Sequence, residues 1–332
     1  MAGENQHWVP KFLIKKFSDA DGRVFYLDVT TDTLGKRPPR QLASDYGFND
    51  FMIDGQVVSF EGELQKIETR AAPALARIIN QRSTVGIGDA ELTAIAEFVS
   101  LQSLRIKSFQ VGLEGSSSRA EFGPAFSMLW KSALIEARNI RARPMIALLA
   151  PEGHRFYLSD HPVTLQHVEN PASREPLGMD IAGVEMYMPL TPQISLYWLC
   201  TRIAEEFVSA YSSGEEMHRL IRRSTLSGIK MPGLDQVSLV DLQRSMGRIS
   251  PMRNAIVTGS GVNAPAEVVE NANYLQCVWA HNALFSCTND FAFARRVYGK
   301  NPQYRGVPRV ELHQKGIFLE AVQPASPNKG TV

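Results

Sequence analysis

Five polar residues, far apart along the chain, have the side-chain types needed for acid–base and anion-binding chemistry. They are His7, Glu68, Gln102, Arg105 and Asp160. A histidine or a carboxylate can transfer a proton, and an arginine can stabilise the negative charge that develops on oxygen during hydrolysis. Two carboxylates can also hold a divalent cation. The set predicts hydrolysis of a phosphate ester, provided that the fold brings the five side chains into one pocket.

His7 lies in an N-terminal segment, NQHWVPKFLIKKF, that is rich in large apolar side chains. Chain ends usually fray, and a frayed end does not need a tryptophan and two phenylalanines. We expect Trp8 and the apolar residues after it to anchor the segment in the body of the protein and so to present His7 to a polar pocket. The alternative is a hydrophobic plug that happens to contain a histidine.

Glu68 lies in a predicted helix that starts after Ser59, a residue type that is favourable at an N-cap. The apolar residues of this helix recur at three- and four-residue intervals, at Leu64, Ile67, Ala71, Ala74, Leu75 and Ile78. Glu68 projects along this apolar face, and a carboxylate in that position needs a partner.

Two further predicted helices place polar groups beside an apolar stripe. The helix from Asp89 has its stripe at Leu92, Ile95, Val99, Ile106 and Phe109. Gln102 continues this line, and Arg105 lies beside it. The late segment PAEVVENANYLQCVWAHNALFS, which opens at Pro265, places the amides of Asn273 and Gln276 in a similar way. The three helices could converge on one site, or their polar groups could form a satisfied buried network that holds the helices in register.

Asp160 follows a predicted strand in FYLSDHPV. Pro162 disfavours helical geometry at His161 and ends strand pairing, so the end of the strand can display Asp160. The alternative is a turn in which Asp160 caps its own backbone while His161 is exposed to solvent. No two histidines have metal-ligand spacing on one helix, so a hard cation would need Glu68 and Asp160 to meet. The expected cofactor is Mg²⁺ or Mn²⁺, or none.

Strand-like and helix-like segments occur in blocks. The first sixty residues are predicted to be largely β, with a tight turn at Asp54–Gly55, and helices follow up to Arg141, the last of them beginning at Arg119. MIALLAPEGHRFYLSDHPVTLQH and EMYMPLTPQISLYWLC predict more strands. AEEFVSAYSSGEEMHRLIRR is helix-like, and its central YSSG suggests a break into two pieces. The pattern predicts an α+β fold, mainly helical, with antiparallel strands in blocks packed against a helical bundle.

Length and composition predict one compact α+β domain over residues 1–322, with a subdivision near 142–145 and a disordered tail at 323–332. Lys and Arg (35) nearly balance Asp and Glu (34), so any nucleic-acid contact would be a local patch. Three cysteines without a CxxC pair, and the lack of a signal-like or membrane-spanning segment, predict a bacterial protein of the cytoplasm.

Several short motifs, taken in order, carry a resemblance to a known family. They are QHWVPKFLIKKF, ELQKIETRAAPAL, the Gln-x-x-Arg of FVSLQSLRIKSF, YLSDHPV, YMPLTP and a late helix containing asparagine. In this combination the chain resembles the uncharacterised bacterial family called domain of unknown function 4238, over most of its length except about 202–261. The family name implies no activity. The resemblance does imply that the residues matching the family's motif positions, His7, Glu68, Gln102, Arg105 and Asp160, are the ones to examine for a function.

The sequence contains no GxGxxG, P-loop, GxSxG or HExxH motif, so the functional hypothesis depends on the five residues alone. The leading hypothesis is a hydrolase that acts on a phosphodiester or nucleotide, such as a nuclease-like effector. One alternative is a protein that binds an anionic small molecule through Arg105 without chemistry, and another is an interaction component of a larger complex. The expected partner is a small anionic ligand, a nucleotide or a nucleic acid at a local site, with no membrane. The oligomeric state is left open.

Overall fold

The computed structural model describes residues 5–53, 55–105, 122–168, 181–227, 239–306, 310–313 and 316–319. In these residues the helices are α1 (Lys11–Lys15), α2 (Glu61–Gln81), α3 (Asp89–Leu104), α4 (Phe122–Arg141), α5 (Thr201–Ser227), α6 (Leu239–Thr258), α7 (Ala266–Trp279) and α8 (Ala292–Lys300). The fold is α+β, as the sequence predicts.

The strands in the described residues are β1 (Asn5–His7), β2 (Val24–Asp28), β3 (Thr33–Arg37), β4 (Ser44–Tyr46), β5 (Asp50–Ile53), β6 (Gln56–Ser59), β7 (Met145–Leu149), β8 (Leu158–Ser159), β9 (Thr164–His167), β10 (Val184–Thr191), β11 (Ile194–Trp198), β12 (Val262–Asn263), β13 (Ala283–Ser286), β14 (Val310–His313) and β15 (Gly316–Leu319). One sheet has the order β12-β7-β11-β10-β9, and another has the order β3-β2-β13-β8. The pairs β1–β4, β5–β6 and β14–β15 form separate two-stranded sheets. All of these pairings are antiparallel except the parallel pair β12–β7.

Helix α2 buries the predicted apolar stripe. All six stripe residues, Leu64, Ile67, Ala71, Ala74, Leu75 and Ile78, are buried. The helix begins at Glu61 rather than directly after Ser59, because Ser59 is the last residue of β6 and Phe60 is the N-cap. The prediction of the buried face is confirmed, and the predicted capping residue is wrong.

Helix α5 is continuous, which corrects the expected break at YSSG. Gly214 lies inside it, and a Cβ atom built at this position would be 3.1 Å from Cγ of Met246 in α6. The glycine therefore allows α6 to approach α5 closely and does not end the helix.

Helix α7 ends at Trp279, seven residues before the end of the predicted helical segment. Ala280 has extended backbone geometry, and Ala283–Ser286 form β13, which lies between β2 and β8. The expected helix through Ser286 is therefore wrong in its last part, and the position of Asp160, given below, supplies the physical reason.

Some sequence predictions concern residues outside the described ranges. They are the apolar positions Ile106 and Phe109, the start of the third helix at Arg119, Asp54 of the predicted turn and the tail at 323–332.

Candidate active site

The N-terminal segment is anchored in the body of the protein. Strand β1 pairs with β4, so that His7 lies opposite Ser44. The backbone N–H of Trp8 donates to the Ala43 carbonyl at 3.0 Å, and the Trp8 ring is 6 % exposed and packs on Phe48 with ring centroids 5.1 Å apart. His7, in contrast, is half-buried. The expectation that the apolar residues anchor the segment in the body of the protein agrees with these contacts.

Gln102 of α3 fixes the same segment from the opposite side. Its Nε2 donates to the Trp8 carbonyl at 2.6 Å, and the Gln102 side chain is buried. The backbone N–H and the carbonyl of Trp8 therefore both have hydrogen-bond partners from other elements. This arrangement limits the freedom of the preceding residue, His7.

Arg105 and Glu68 form a close ion pair next to this strand. Arg105 directly follows α3, and its Nη1 lies 2.5 Å from Glu68 Oε1 on α2. The Arg105 side chain is 5 % exposed and the Glu68 side chain 24 %. The carboxylate lies on the flank of the apolar stripe, as expected, and its partner is the arginine of the neighbouring helix end.

His7 is kept neutral by its surroundings. Burial is the largest effect that lowers the pKa of His7, and the positive charges of Arg105 and Lys11 lower this pKa further, while a hydrogen bond to the Pro39 carbonyl raises it. The side chain of Gln102 links Arg105 to the segment of His7, since its Nε2 lies 2.6 Å from the carbonyl oxygen of Trp8 and 3.5 Å from that of Arg105. His7, Glu68, Gln102 and Arg105 therefore belong to one group of contacts.

Two nitrogen atoms of this group are buried without a hydrogen-bond partner in the described part of the chain. They are Nε2 of His7 and Nε of Arg105. Buried polar atoms in folded proteins usually have a partner, so each of these nitrogen atoms is a candidate contact for a ligand or a water molecule.

Asp160 lies in a different set of contacts. Its Oδ1 accepts the backbone N–H of His281 at 2.9 Å, and its Oδ2 accepts that of Asn282 at 2.7 Å. Among the described residues, no hydrogen bond or ion pair joins Asp160 to Glu68 or Arg105. Asp160 thus caps another segment, the turn between α7 and β13, and its carboxylate also accepts its own backbone N–H.

Burial raises the pKa of Asp160 to about 6, against the opposing effect of the backbone hydrogen bonds from Asn282 and His281. His161 is also buried, with its ring 4.9 Å from that of Trp279, which corrects the expectation of solvent exposure. The end of β8 is therefore part of the protein interior.

The two amides predicted on the late helix serve the same interior segment. Asn273 Oδ1 accepts the backbone N–H of Tyr157 at 2.7 Å, and Gln276 Oε1 accepts that of Ser159 at 2.7 Å. For α7, the structural alternative, a satisfied buried network, is confirmed. The three helices do not share one polar centre through these contacts.

The predicted metal pair gains no support from these contacts. Glu68 is paired with Arg105, and both oxygens of Asp160 accept backbone N–H groups. In the described residues, no cluster of three or more His, Cys, Asp or Glu side chains is arranged to hold a metal ion.

Sequence reasoning missed one residue of the candidate site and one buried network. Lys11, whose charge lowers the pKa of His7, looks in the sequence like any exposed lysine.

The buried network joins Glu185 and Tyr187 of β10 to Gln166 of β9, with hydrogen bonds of 3.2 Å from Gln166 Nε2 to both residues. Its sequence signal is the alternation VEMYMPL, which places the glutamate and the tyrosine on one face of a buried strand. Asn271 of α7 donates to Gln166 Oε1 at 3.0 Å, so these polar groups partner one another.

The comparisons with known proteins agree with the motif resemblance. A family model described as "Protein of unknown function (DUF4238)" matches residues 5–124. This match confirms the predicted family resemblance over that part of the chain, which contains His7, Glu68, Gln102 and Arg105 but not Asp160. Neither the curated proteins nor the solved structures gave a match. None of the helices in the described part of the chain has the length and apolar character that a membrane crossing needs.

Proposed function

We propose that the chain is a hydrolase of phosphate esters, acting on a phosphodiester or a nucleotide, with His7 as the general base and Arg105 as the anion-binding group. The observation that carries the proposal is the state of His7. Its ring is neutral, it lies beside a buried arginine, and its Nε2 has no partner among the described residues.

The hydrogen bond to Pro39 defines the tautomer of His7. Because Nε2 is unpartnered, the ring N–H that donates to the Pro39 carbonyl is at Nδ1. The lone pair is then on Nε2. A neutral imidazole whose second nitrogen is fixed by a carbonyl is the form that a general base requires near neutral pH.

In the proposed reaction, His7 Nε2 removes a proton from a water molecule as the water oxygen attacks phosphorus. A P–O bond forms to this oxygen, the P–O bond to the leaving alcohol breaks, and the protonated His7 returns the proton to the leaving oxygen. Water and ester are thereby converted into a phosphate product and an alcohol. Arg105 stabilises the negative charge on the phosphoryl oxygens, where a buried guanidinium is most effective.

Glu68 and Gln102 position these two groups. Glu68 holds one end of the guanidinium through Nη1 and leaves Nε directed elsewhere. Gln102 holds the Trp8 carbonyl and thereby the backbone that carries His7. Asp160 has no part in the proposed reaction, and no step passes through a metal ion, because the two carboxylates have separate partners.

A hydrolysis assay with matched variants tests the proposal. Bis(p-nitrophenyl) phosphate, p-nitrophenyl phosphate and mononucleotides are incubated with wild type, His7→Gln, Arg105→Lys and the control His154→Gln. General-base catalysis contributes about 10²–10⁴-fold, so His7→Gln should lose activity by at least about 10²-fold while His154→Gln keeps it. A wild type without activity on any of these esters, or equal activity of the two histidine variants, would overturn the assignment.

A second function, binding of an anionic small molecule without chemistry, is favoured by one specific observation. The buried Nε of Arg105 is a donor for an anion whether or not a reaction follows. Calorimetric titration with a nucleotide separates the two functions. A binder should keep its affinity in His7→Gln, lose affinity in Arg105→Lys and show no turnover in the wild type.

A further inference from the structure

The α5–α6 hairpin is an antiparallel pair of long helices. Near its base, the guanidinium of Arg253 lies over the ring of Tyr211, 5.1 Å from the ring centroid. Farther out, Nε2 of Gln243 and Nε2 of His218 are 3.2 Å apart. Within the described ranges, α6 is the one element with which α5 makes an extended contact, whereas α6 also touches β7 and β12. The outer part of the hairpin therefore depends on contacts between its own two helices.

In the described residues, the base of the hairpin belongs to the hydrophobic core and the outer part does not. Ala204 and Ala255 are buried in the core cluster, and Phe207 packs against it. The apolar side chains farther out lie outside that cluster. Among them are Val208, Tyr211, Met217, Leu220, Ile221, Leu242, Met246 and Ile249. All of these except Ile221 are half-buried or exposed, so pairing of the two helices leaves apolar surface in contact with water.

Helix α5 also carries charged side chains that are sorted by sign along its length. The first three are acidic and the last two are basic: Glu205, Glu215, Glu216, Arg219 and Arg222. No ion pair in the described part of the chain involves any of them. Arg202 and Glu206, by contrast, pair with each other near the start of the helix. The helix dipole favours such an order only in the first and last turns, whereas Glu215 and Glu216 lie in the middle of α5.

We propose that the chain forms a two-fold symmetric dimer, in which the α5–α6 hairpin of one copy packs antiparallel against that of a second copy as a four-helix bundle. The acidic stretch of each α5 then faces the basic stretch of the other, and the half-buried apolar side chains of both hairpins close over one another. A parallel arrangement would place like charges together. The two-fold axis doubles each complementary contact, because the contact from the first copy to the second is repeated in reverse.

The hairpin is large enough for a specific interface. Helix α5 has 27 residues and α6 has 20. The shorter helix is therefore about 30 Å long, and two helices side by side are about 20 Å wide. A face of this size covers about 600 Å² on each copy, so the dimer would bury about 1,200 Å² in total, which exceeds the lower limit of about 1,000 Å² for a specific interface.

Sedimentation velocity over about 1–100 μM protein measures the dimer, which the wild type should form. Glu205→Arg/Glu216→Arg, which makes α5 mainly basic, should raise the dimer Kd by at least about tenfold, because like charges then face each other across the axis. Arg219→Glu/Arg222→Glu, which makes α5 mainly acidic, should have the same effect.

An equimolar mixture of the two charge-reversed variants should form a mixed dimer, because a basic α5 then meets an acidic one. The matched control is Glu267→Arg/Glu270→Arg, which makes the same change in charge at exposed positions of α7. Its dimer Kd should stay within about twofold of the wild-type value. Circular dichroism should show the same helix content in all variants, which excludes unfolding as the cause of a lost dimer.

A wild type that remains monomeric at the highest concentration would overturn the proposal, and another segment of the chain or a different protein would then cover the apolar face. Charge-reversed variants that keep the wild-type Kd would show that α5 does not face a second α5. A mixture that stays monomeric while the wild type dimerises would show that opposite charges on the two helices do not hold the dimer together, which also overturns the proposal.

Discussion

At the scale of single residues, neighbouring side chains of the N-terminal segment have opposite roles. Trp8 is almost fully buried against Phe48, and His7 is half-buried, with no hydrogen-bond partner for its Nε2 in the part of the chain that the structure describes. A packed indole contributes to folding through the apolar surface that it removes from water, whereas an imidazole with the proposed role in a site should contribute little to folding.

Alanine variants should therefore differ in stability. Trp8→Ala should lower the free energy of unfolding by about 3–5 kcal/mol, the range for removing a large buried aromatic side chain. His7→Ala should change it by less than about 1 kcal/mol. Urea unfolding of both variants checks this difference, and equal losses would show that His7 is a core residue.

Asp160 gives a prediction for the pH dependence of stability. Its folded pKa of about 6 lies above the ordinary value of 3.8, so the folded state binds the proton more tightly than the unfolded state. The contribution of Asp160 is then fully present below about pH 3.8 and decreases as pH rises through about 6. The change amounts to about 3 kcal/mol, from about two pKa units at about 1.4 kcal/mol each.

In Asp160→Asn, residue 160 no longer titrates. The variant also loses one acceptor for the backbone amides of His281 and Asn282, so at low pH it should be less stable than wild type by about 1–3 kcal/mol. The stability difference between wild type and variant should shrink as pH rises from 4 to 7. Urea unfolding at pH 4, 5, 6 and 7 measures it, with Asp45→Asn, at an exposed position, as control. A constant difference across this range would show that Asp160 does not titrate there.

At the scale of elements, the sequence predicts correctly which face of a helix is buried. It does not predict hydrogen bonds to a helix end from residues far away in the chain. The stripe of α2 is buried at every predicted position, because apolar spacing reflects which side of a helix meets the core. The end of α7 was misplaced, because Asp160, more than a hundred residues away, binds the amides of His281 and Asn282 and the chain continues into β13. Helical propensity carries no information about such a distant acceptor.

The same limit applies to the candidate site. The helical spacing of the apolar residues points to Glu68, Gln102 and Arg105, since each of them lies beside the apolar stripe of its helix. The carbonyl of Pro39 that defines the tautomer of His7 comes from a single 3-10 turn, Pro39–Gln41, which no apolar periodicity marks. The sequence predicts Asp160 in the site because a strand end often displays catalytic groups, whereas its carboxylate in the structure binds the backbone of a turn more than a hundred residues away.

Glycines at the junction of α6 and β12 allow a close contact between elements, and this contact can be tested. A Cβ atom at Gly261 would lie 2.1 Å from the carbonyl oxygen of Arg82, a backbone atom that cannot move without displacing the end of α2. Gly261→Ala should therefore lower the free energy of unfolding by about 2 kcal/mol or more.

The matched control is Gly247→Ala in α6, where a Cβ would meet no atom within 4 Å. Because alanine favours helix over glycine, this variant should be more stable than wild type by up to about 1 kcal/mol. Thermal and urea unfolding compare the two. If both variants lost stability, the loss in Gly261→Ala could not be attributed to its close contact with the Arg82 carbonyl.

At the scale of the whole molecule, one buried hydrophobic cluster includes residues from both ends of the described chain, from Trp8 and Phe17 to Tyr298 and Tyr304. The N-terminal strand that carries His7 is therefore supported by the same core as the C-terminal helices. The net charge of the chain is only +1, so the surface as a whole does not attract a polyanion.

This balance predicts a weak salt dependence of ligand binding. A protein that follows a nucleic-acid strand neutralises several phosphates, and the logarithm of its affinity falls with the logarithm of salt concentration by about 0.7 for each phosphate on a single strand. Among the described residues no carboxylate forms an ion pair with Lys11, so binding of a short diester through this one cation should show a slope of about 1 or less between 50 and 300 mM salt.

Fluorescence titration of a labelled dinucleotide and of a twenty-residue oligonucleotide measures both slopes. The two ligands should bind with similar affinity per phosphate and with similar slopes, and Lys11→Gln should reduce both slopes nearly to zero. Lys15→Gln should leave them unchanged. A slope of several units for the oligonucleotide, retained in Lys11→Gln, would show that a basic surface outside the candidate site binds the strand, and a nucleic-acid polymer would then replace the small diester as the expected substrate.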